Sequence, residues 1–296
     1  MPTFATCIKH NVSILDRFLD KRQGDGAEMA FTDHIEVLRW HIIRSVLAVL
    51  VASIIIFFNI EWIFDKVILG PAHIDFVSYR VLCKLGHLIH VDALCLQDIK
   101  MEFQNTELSG QFMMSFSVSF MIGFIVAFPY IFWEFWRFVK PALKPSELKY
   151  ARGIVFWTSL LFFFGVFFAY YVIAPFTINF FANYQLSPSF KNIITMENYY
   201  DTMSDLILGM GLIFELPVVV FFLSRVGILT PKLMRSKRNY AILIIFLLAA
   251  VITPPDWFSI WLVAIPLIIL YEASISISER ALKERRRKQL KDANDF

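Results

Sequence analysis

Glu215 lies inside the run GLIFELPVVVFF, residues 211–222, with Pro217 two positions on. Inserting Asp, Lys or Arg at the centre of a membrane-length apolar run costs about 2.5–3.5 kcal/mol, and Glu is comparable. Such a carboxyl needs a partner or a task. It is either a titrating site, as in a proton-coupled small-molecule carrier, or a protonated group bonded to a neighbouring helix, for instance to a carbonyl freed by Pro217. The carrier reading predicts a second midplane ionisable residue on a facing helix, and the other central runs contain none. A second constellation is Cys83, His87, His90 and Cys95, spaced C-x3-H-x2-H-x4-C. Four such side chains could bind zinc, but the spacing matches no common zinc framework. A Cys83–Cys95 disulfide fits better if the stretch faces an oxidising compartment. The chain has no GxxxxGK[ST] phosphate loop, no GxSxG elbow and no HExxH pair. The expectation is a non-enzymatic protein with no catalytic residue, metal or cofactor, whose work draws its energy from elsewhere.

The elements that hold these residues follow from composition. With 57% hydrophobic residues, 32 Phe and only 18% charged residues, the chain carries more apolar surface than a soluble domain can hide. It is an all-α integral membrane protein. Helical spans need about 20 apolar residues, and runs of that size lie near 42–64, 112–133, 153–182 and 205–224. Shorter runs near 240–253 and 257–276 flank Thr253-Pro254-Pro255-Asp256, whose prolines break the helix and predict a tight exterior, periplasmic turn. Six spans, the last two short, place both termini on one side. All Lys and Arg except Lys66, Arg80, Lys84, Lys100 and Lys191 cluster in the N-terminal segment, loop 134–152, loop 225–239 and the tail. Cationic loops stay cytoplasmic, so both termini face inward and 65–111 faces outward. That outer stretch is long for a connector and amphipathic over 81–89, which predicts a short structured cap.

Residues 1–28 form a polar N-terminal extension without the apolar core of a cleavable signal peptide, and Met29 could serve as an alternative start. Residues 29–280 form the membrane body and 281–296 a basic tail. The tail's Arg285-Arg286-Arg287-Lys288 run suits an anionic leaflet; no nucleic-acid-binding pattern accompanies it. Cys7, on the reducing side, is expected to be a free thiol. Pro129, Pro175, Pro217 and Pro266 fall inside spans and predict kinked helices framing a concave, cupped bundle.

Several motifs in a single register then resemble one family. Asp33-His34-Ile35-Glu36-Val37-Leu38-Arg39 is similar to the H-L-x-E-L-R opening motif of TatC, the polytopic subunit of the twin-arginine protein translocase. In order follow Phe132-Trp133-Glu134-Phe135-Trp136-Arg137-Phe138-Val139-Lys140-Pro141-Ala142-Leu143 with Glu147, then Phe214-Glu215-Leu216-Pro217, then Leu248 to Asp256. The resemblance spans about residues 30–280. It implies a receptor in the inner membrane that binds twin-arginine signal peptides at the cytoplasmic face, exports folded proteins using the proton motive force, recruits TatA-like and TatB-like single-span subunits, and self-associates.

By that resemblance Glu36, Arg39, Phe138 and Glu147 form the signal-peptide site. Carboxylates grip paired guanidiniums through bidentate hydrogen bonds that lysine cannot reproduce; Phe138 offers an apolar wall, and Arg39 orders the acidic cluster or meets lipid phosphate. One departure is plain: the family's acidic position falls on Val37, with Glu36 about 100° away around a helix. Local readings compete for each residue. Glu36 suits a helix's first turn, Glu147 follows Pro145-Ser146 as a helix-start signal, and Phe138 suits a membrane interface. For Glu215 the resemblance implies contact with a polar residue of a partner helix, and it places partner helices along the last two spans.

Overall fold

In the computed structural model, residues 31–89, 102–142 and 153–294 are described, apart from 74, 188, 190, 191 and 255. The chain divides into two compact units, residues 1–43 and 44–296. The first is described only from residue 31, where α1 (Phe31–Phe57) begins. The elements after it are α2 (Val77–Ile89), β1 (Phe103–Gln104), α3 (Gly110–Val139), α4 (Ile154–Phe168), α5 (Ala174–Asn183), β2 (Ile194–Thr195), α6 (Met196–Ile213), α7 (Leu216–Val226), α8 (Pro231–Ser236), α9 (Arg238–Ile252) and α10 (Trp257–Asn294). Among the described residues, five helical stretches are long and apolar enough to cross a bilayer: 35–57, 110–139, 154–183, 196–225 and 257–283; α9 is shorter.

The second unit is built on α3, α4, α6 and α10, whose buried residues form one apolar core. Phe128 on α3 stacks on Phe162 of α4 with centroids 3.6 Å apart and planes 7° from parallel. The neighbouring pair α4 and α6 approach at near-backbone distance. A methyl group on Gly165 would lie 2.7 Å from the Met210 carbonyl oxygen, and one on Gly211 would lie 2.9 Å from the Phe162 ring. Lipid supplies no hydrophobic drive between spans, so close packing through small residues does that work.

The prolines act in two ways. Pro129 and Pro266 lie within continuous helices. Pro217 sits in the first turn of α7, after an interruption at Phe214 and Glu215 that splits the fourth span. Pro175 opens α5 directly after a π-helical turn over Ala169–Ile173. Having no N–H, Pro175 leaves the Tyr171 carbonyl without its helical donor, and the Ser78 hydroxyl of α2 donates to that oxygen.

The described part of the stretch 65–111 is structured, with α2 covering the amphipathic run 81–89. Tyrosine hydroxyls fasten it to backbone carbonyls. Tyr79 donates to Pro71 at 2.8 Å and Pro175 at 3.1 Å, Tyr170 to Val67 at 2.7 Å and Tyr199 to Ile68 at 2.8 Å. Burial pushes the Tyr79 phenol well above its ordinary pKa, so the hydroxyl remains a donor. A parallel pairing of Phe103 with Ile194 and Gln104 with Thr195, which the sequence does not announce, ties this stretch to the loop before α6.

Several boundaries differ from the hydropathy reading. α1 and α6 begin earlier, at Phe31 and Met196 rather than near 42 and 205. α1 ends at Phe57 rather than near 64, giving way to short turns from Asn59 onward. α3 continues through Val139, so Glu134 and Phe138 lie on its last turns and not in a loop. The final helix does not end near 276. It runs to Asn294 through the basic tail, because no Gly or Pro intervenes and Ala281-Leu282-Lys283-Glu284 are strong helix formers.

Candidate functional site

The last turns of α3 carry a buried charge. The Glu134 side chain is 1% exposed, with Oε1 3.4 Å from Arg137 and Oε2 4.0 Å from Arg44 of α1. The Tyr130 hydroxyl faces this carboxylate. The Arg137 guanidinium lies 4.9 Å from the centre of the Trp133 ring. Residues 130, 134 and 138 follow one another at helical spacing, so Tyr130, Glu134 and Phe138 share a face. Phe138 is half-buried, and Lys140–Ala142 close the helix with a 3-10 turn. The arrangement pins α3 to the Arg44 turn of α1 immediately before residue 143.

Sequence reasoning did not single out Glu134 as a site residue. The i,i+3 spacing of Glu134 and Arg137 was a readable signal; the approach of Arg44 was not. Glu147 and the rest of 143–152 lie outside the described residues. Within the unit 1–43, Glu36 and Arg39 are both exposed on α1, as is Val37. The structure thus brings Glu134, Arg44, Arg137 and Tyr130 together and leaves the grouping of Glu36, Arg39, Phe138 and Glu147 as an expectation.

Glu215 stands at the interruption between α6 and α7, half-buried. The polar groups facing it are the Thr158 hydroxyl and the Phe162 backbone of α4. Its Oε1 is buried without a hydrogen bond. Among the described residues these neighbours include no second ionisable group.

At the turn between α9 and α10, Asp256 caps α10, its Oδ1 accepting from the Ser259 amide at 2.7 Å. The Thr253 hydroxyl returns to the Ala249 carbonyl, and the Asp256 amide donates to Pro254. Pro255 lies outside the described residues. Midway along α10, Glu272 pairs with Arg238 at 2.7 Å, Glu279 pairs with Arg235, and the Tyr271 hydroxyl donates to Met234. These contacts gather the 225–239 loop against residues 271–279 of α10. Cys83 is disulfide-bonded and its sulfur lies 3.6 Å from His87 Nε2. His90 and Cys95 lie outside the described residues, so the identity of the pairing stays a proposal. No group of three or more His, Cys, Asp or Glu suited to a metal occurs among the described residues.

Bundled apolar helices, one broken at a carboxylate and another ending in a buried ion cluster, define a polytopic membrane protein with polar sites inside its helical body. The family model for the Sec-independent protein translocase protein TatC matches residues 33–266. A TatC from Blattabacterium sp. subsp. Periplaneta americana (strain BPLAN) is 41% identical over 260 residues, covering 87% of this chain and 98% of the relative. A TatC from Campylobacter jejuni is 32% identical over 248 residues, covering 83% and 94%. A crystal structure of a twin arginine translocase receptor, TatC, superposes with a TM-score of 0.66 at 28% identity over 84% of this chain and 99% of that one. The chain belongs to the TatC family of Sec-independent protein translocase proteins.

Proposed function

We propose that this chain is the non-enzymatic receptor subunit of a twin-arginine translocase, binding signal peptides at the cytoplasmic face of the inner membrane and passing folded cargo outward on the proton motive force. The observation that carries this reading is the likeness to a twin arginine translocase receptor along nearly the whole length of that protein. In this reading α9 is a sixth, short crossing and both termini are cytoplasmic. The inward cationic loops support that orientation, as does the gathering of 225–239 with 271–279. Glu36, Arg39, Phe138 and Glu147 hold the paired arginines and the residues after them. TatA-like and TatB-like subunits dock along α9 and α10, with Glu215 meeting a polar residue of such a helix. The basic tail lies against anionic lipid, and Cys83 pairs with Cys95.

The proton-coupled carrier is the weaker reading, because Glu215 faces a hydroxyl and a backbone group rather than a second titratable side chain. The two separate in a binding experiment with purified protein. A signal peptide carrying Arg-Arg is expected to bind, and its Lys-Lys variant to lose on the order of ten-fold or more in affinity, because an ammonium cannot reproduce the bidentate fork. Equal binding of the two peptides contradicts the receptor reading.

A further inference from the structure

The hydroxyls of Ser53, Ser115, Ser119, Thr202, Thr253 and Ser274 each donate to the carbonyl four residues back. This is the usual way a helix hides a hydroxyl in apolar surroundings. Thr158 departs from it, as do the buried hydroxyls of Ser159, Thr177 and Ser259. The Thr158 side chain is fully buried and Oγ1 does not return to the Ile154 carbonyl; of these four hydroxyls it is the one set against Glu215. It faces the Glu215 carboxyl across the α4–α6 contact, beside the Phe162 backbone, while Glu215 Oε1 is likewise buried and unbonded. Two complementary polar groups in one apolar wall are each costly alone, and each relieves the other only when correctly aimed. Gly165 and Gly211 hold α4 and α6 so close that the two walls cannot drift apart.

We propose that Thr158 is a positioning residue for Glu215: its hydroxyl, kept off its own backbone, aims the carboxyl so that the pair presents one polar receptor to a hydrogen-bonding side chain of a single-span partner helix. The proposal rests on the reading that Glu215 serves transport by meeting such a helix. Thr158 alone carries no sequence signal for this role, since a threonine inside an apolar run usually back-bonds.

The test is export of a twin-arginine reporter by cells in which the full-length chain is the sole copy, expressed per molecule present in the membrane. Thr158→Val, which deletes the hydroxyl at constant shape, is expected to lower export about ten-fold or more, the effect of a lost hydrogen bond to a carboxyl. Thr158→Ser restores most of it, and Thr158→Val added to Glu215→Ala lowers export no further. If valine prevents insertion, Thr158→Ala takes its place. Full export by the hydroxyl-free variant while Glu215→Ala is defective overturns the positioning role and leaves Glu215 in place. A Thr158→Ser variant as impaired as Thr158→Val also overturns it, because packing and not the hydroxyl is then at stake. Full export by Glu215→Ala removes the underlying reading of Glu215 itself.

Discussion

Glu147→Ala is expected to abolish export of a twin-arginine reporter while the protein still accumulates in the membrane at its normal level. Glu147 follows Pro145-Ser146 in the segment between α3 and α4, which faces the cytoplasm in the proposed orientation. A carboxylate there forms a bidentate, charge-assisted pair with a guanidinium. Losing a bond to a charged group costs about 1.5–3 kcal/mol, roughly a ten- to hundred-fold loss of affinity. The expected dependence on Glu147 is heightened by Glu36, which sits one residue away from the family's acidic position. Export assays with membrane abundance measured in parallel check this. Unchanged export takes Glu147 out of the site.

The buried ion cluster gives the second large effect, and its sign depends on which partner is removed. Glu134 is enclosed, whereas Arg44 and Arg137 are about half exposed, at 49% and 46%. Removing both arginines, as in Arg44→Gln with Arg137→Gln, strands a buried carboxylate, and breaking such an arrangement costs about 3–5 kcal/mol. Glu134→Gln instead releases two half-exposed arginines that can turn toward water or lipid phosphate, so the loss is roughly 0–1 kcal/mol. Adding Glu134→Gln to the double arginine variant is therefore expected to recover stability. Thermal unfolding of the detergent-solubilised protein measures all three. A double arginine variant no less stable than Glu134→Gln alone contradicts the cluster's role. Because Glu134 lies one turn before Phe138, the same substitutions are expected to weaken signal-peptide binding in the order in which they weaken the fold.

Much of this was legible in local sequence. The break at Phe214 and Glu215 follows from Pro217, the turn between α9 and α10 follows from Pro254-Pro255, and the amphipathic run over 81–89 announces α2. What escaped depends on residues far apart in the chain. Ser78 donating to the carbonyl freed by Pro175, Arg44 meeting Glu134 and the two-residue pairing of β1 with β2 leave no periodicity to read. The helix beyond 276 escaped for another reason: hydropathy reports where lipid ends, while helix propensity carries α10 onward through charged residues. In the candidate site, motif resemblance pointed to Glu36, Arg39, Phe138 and Glu147. The buried neighbour Glu134 was visible only as half of a spacing, and Thr158 not at all.

The receptor account is tested most directly by a photoreactive amino acid placed at position 147 of the full-length protein in native membranes. The account predicts an adduct with a twin-arginine precursor added from the cytoplasmic side, lost when the precursor's arginine pair becomes lysine. Equal adducts with both precursors, or none from that side, would contradict it.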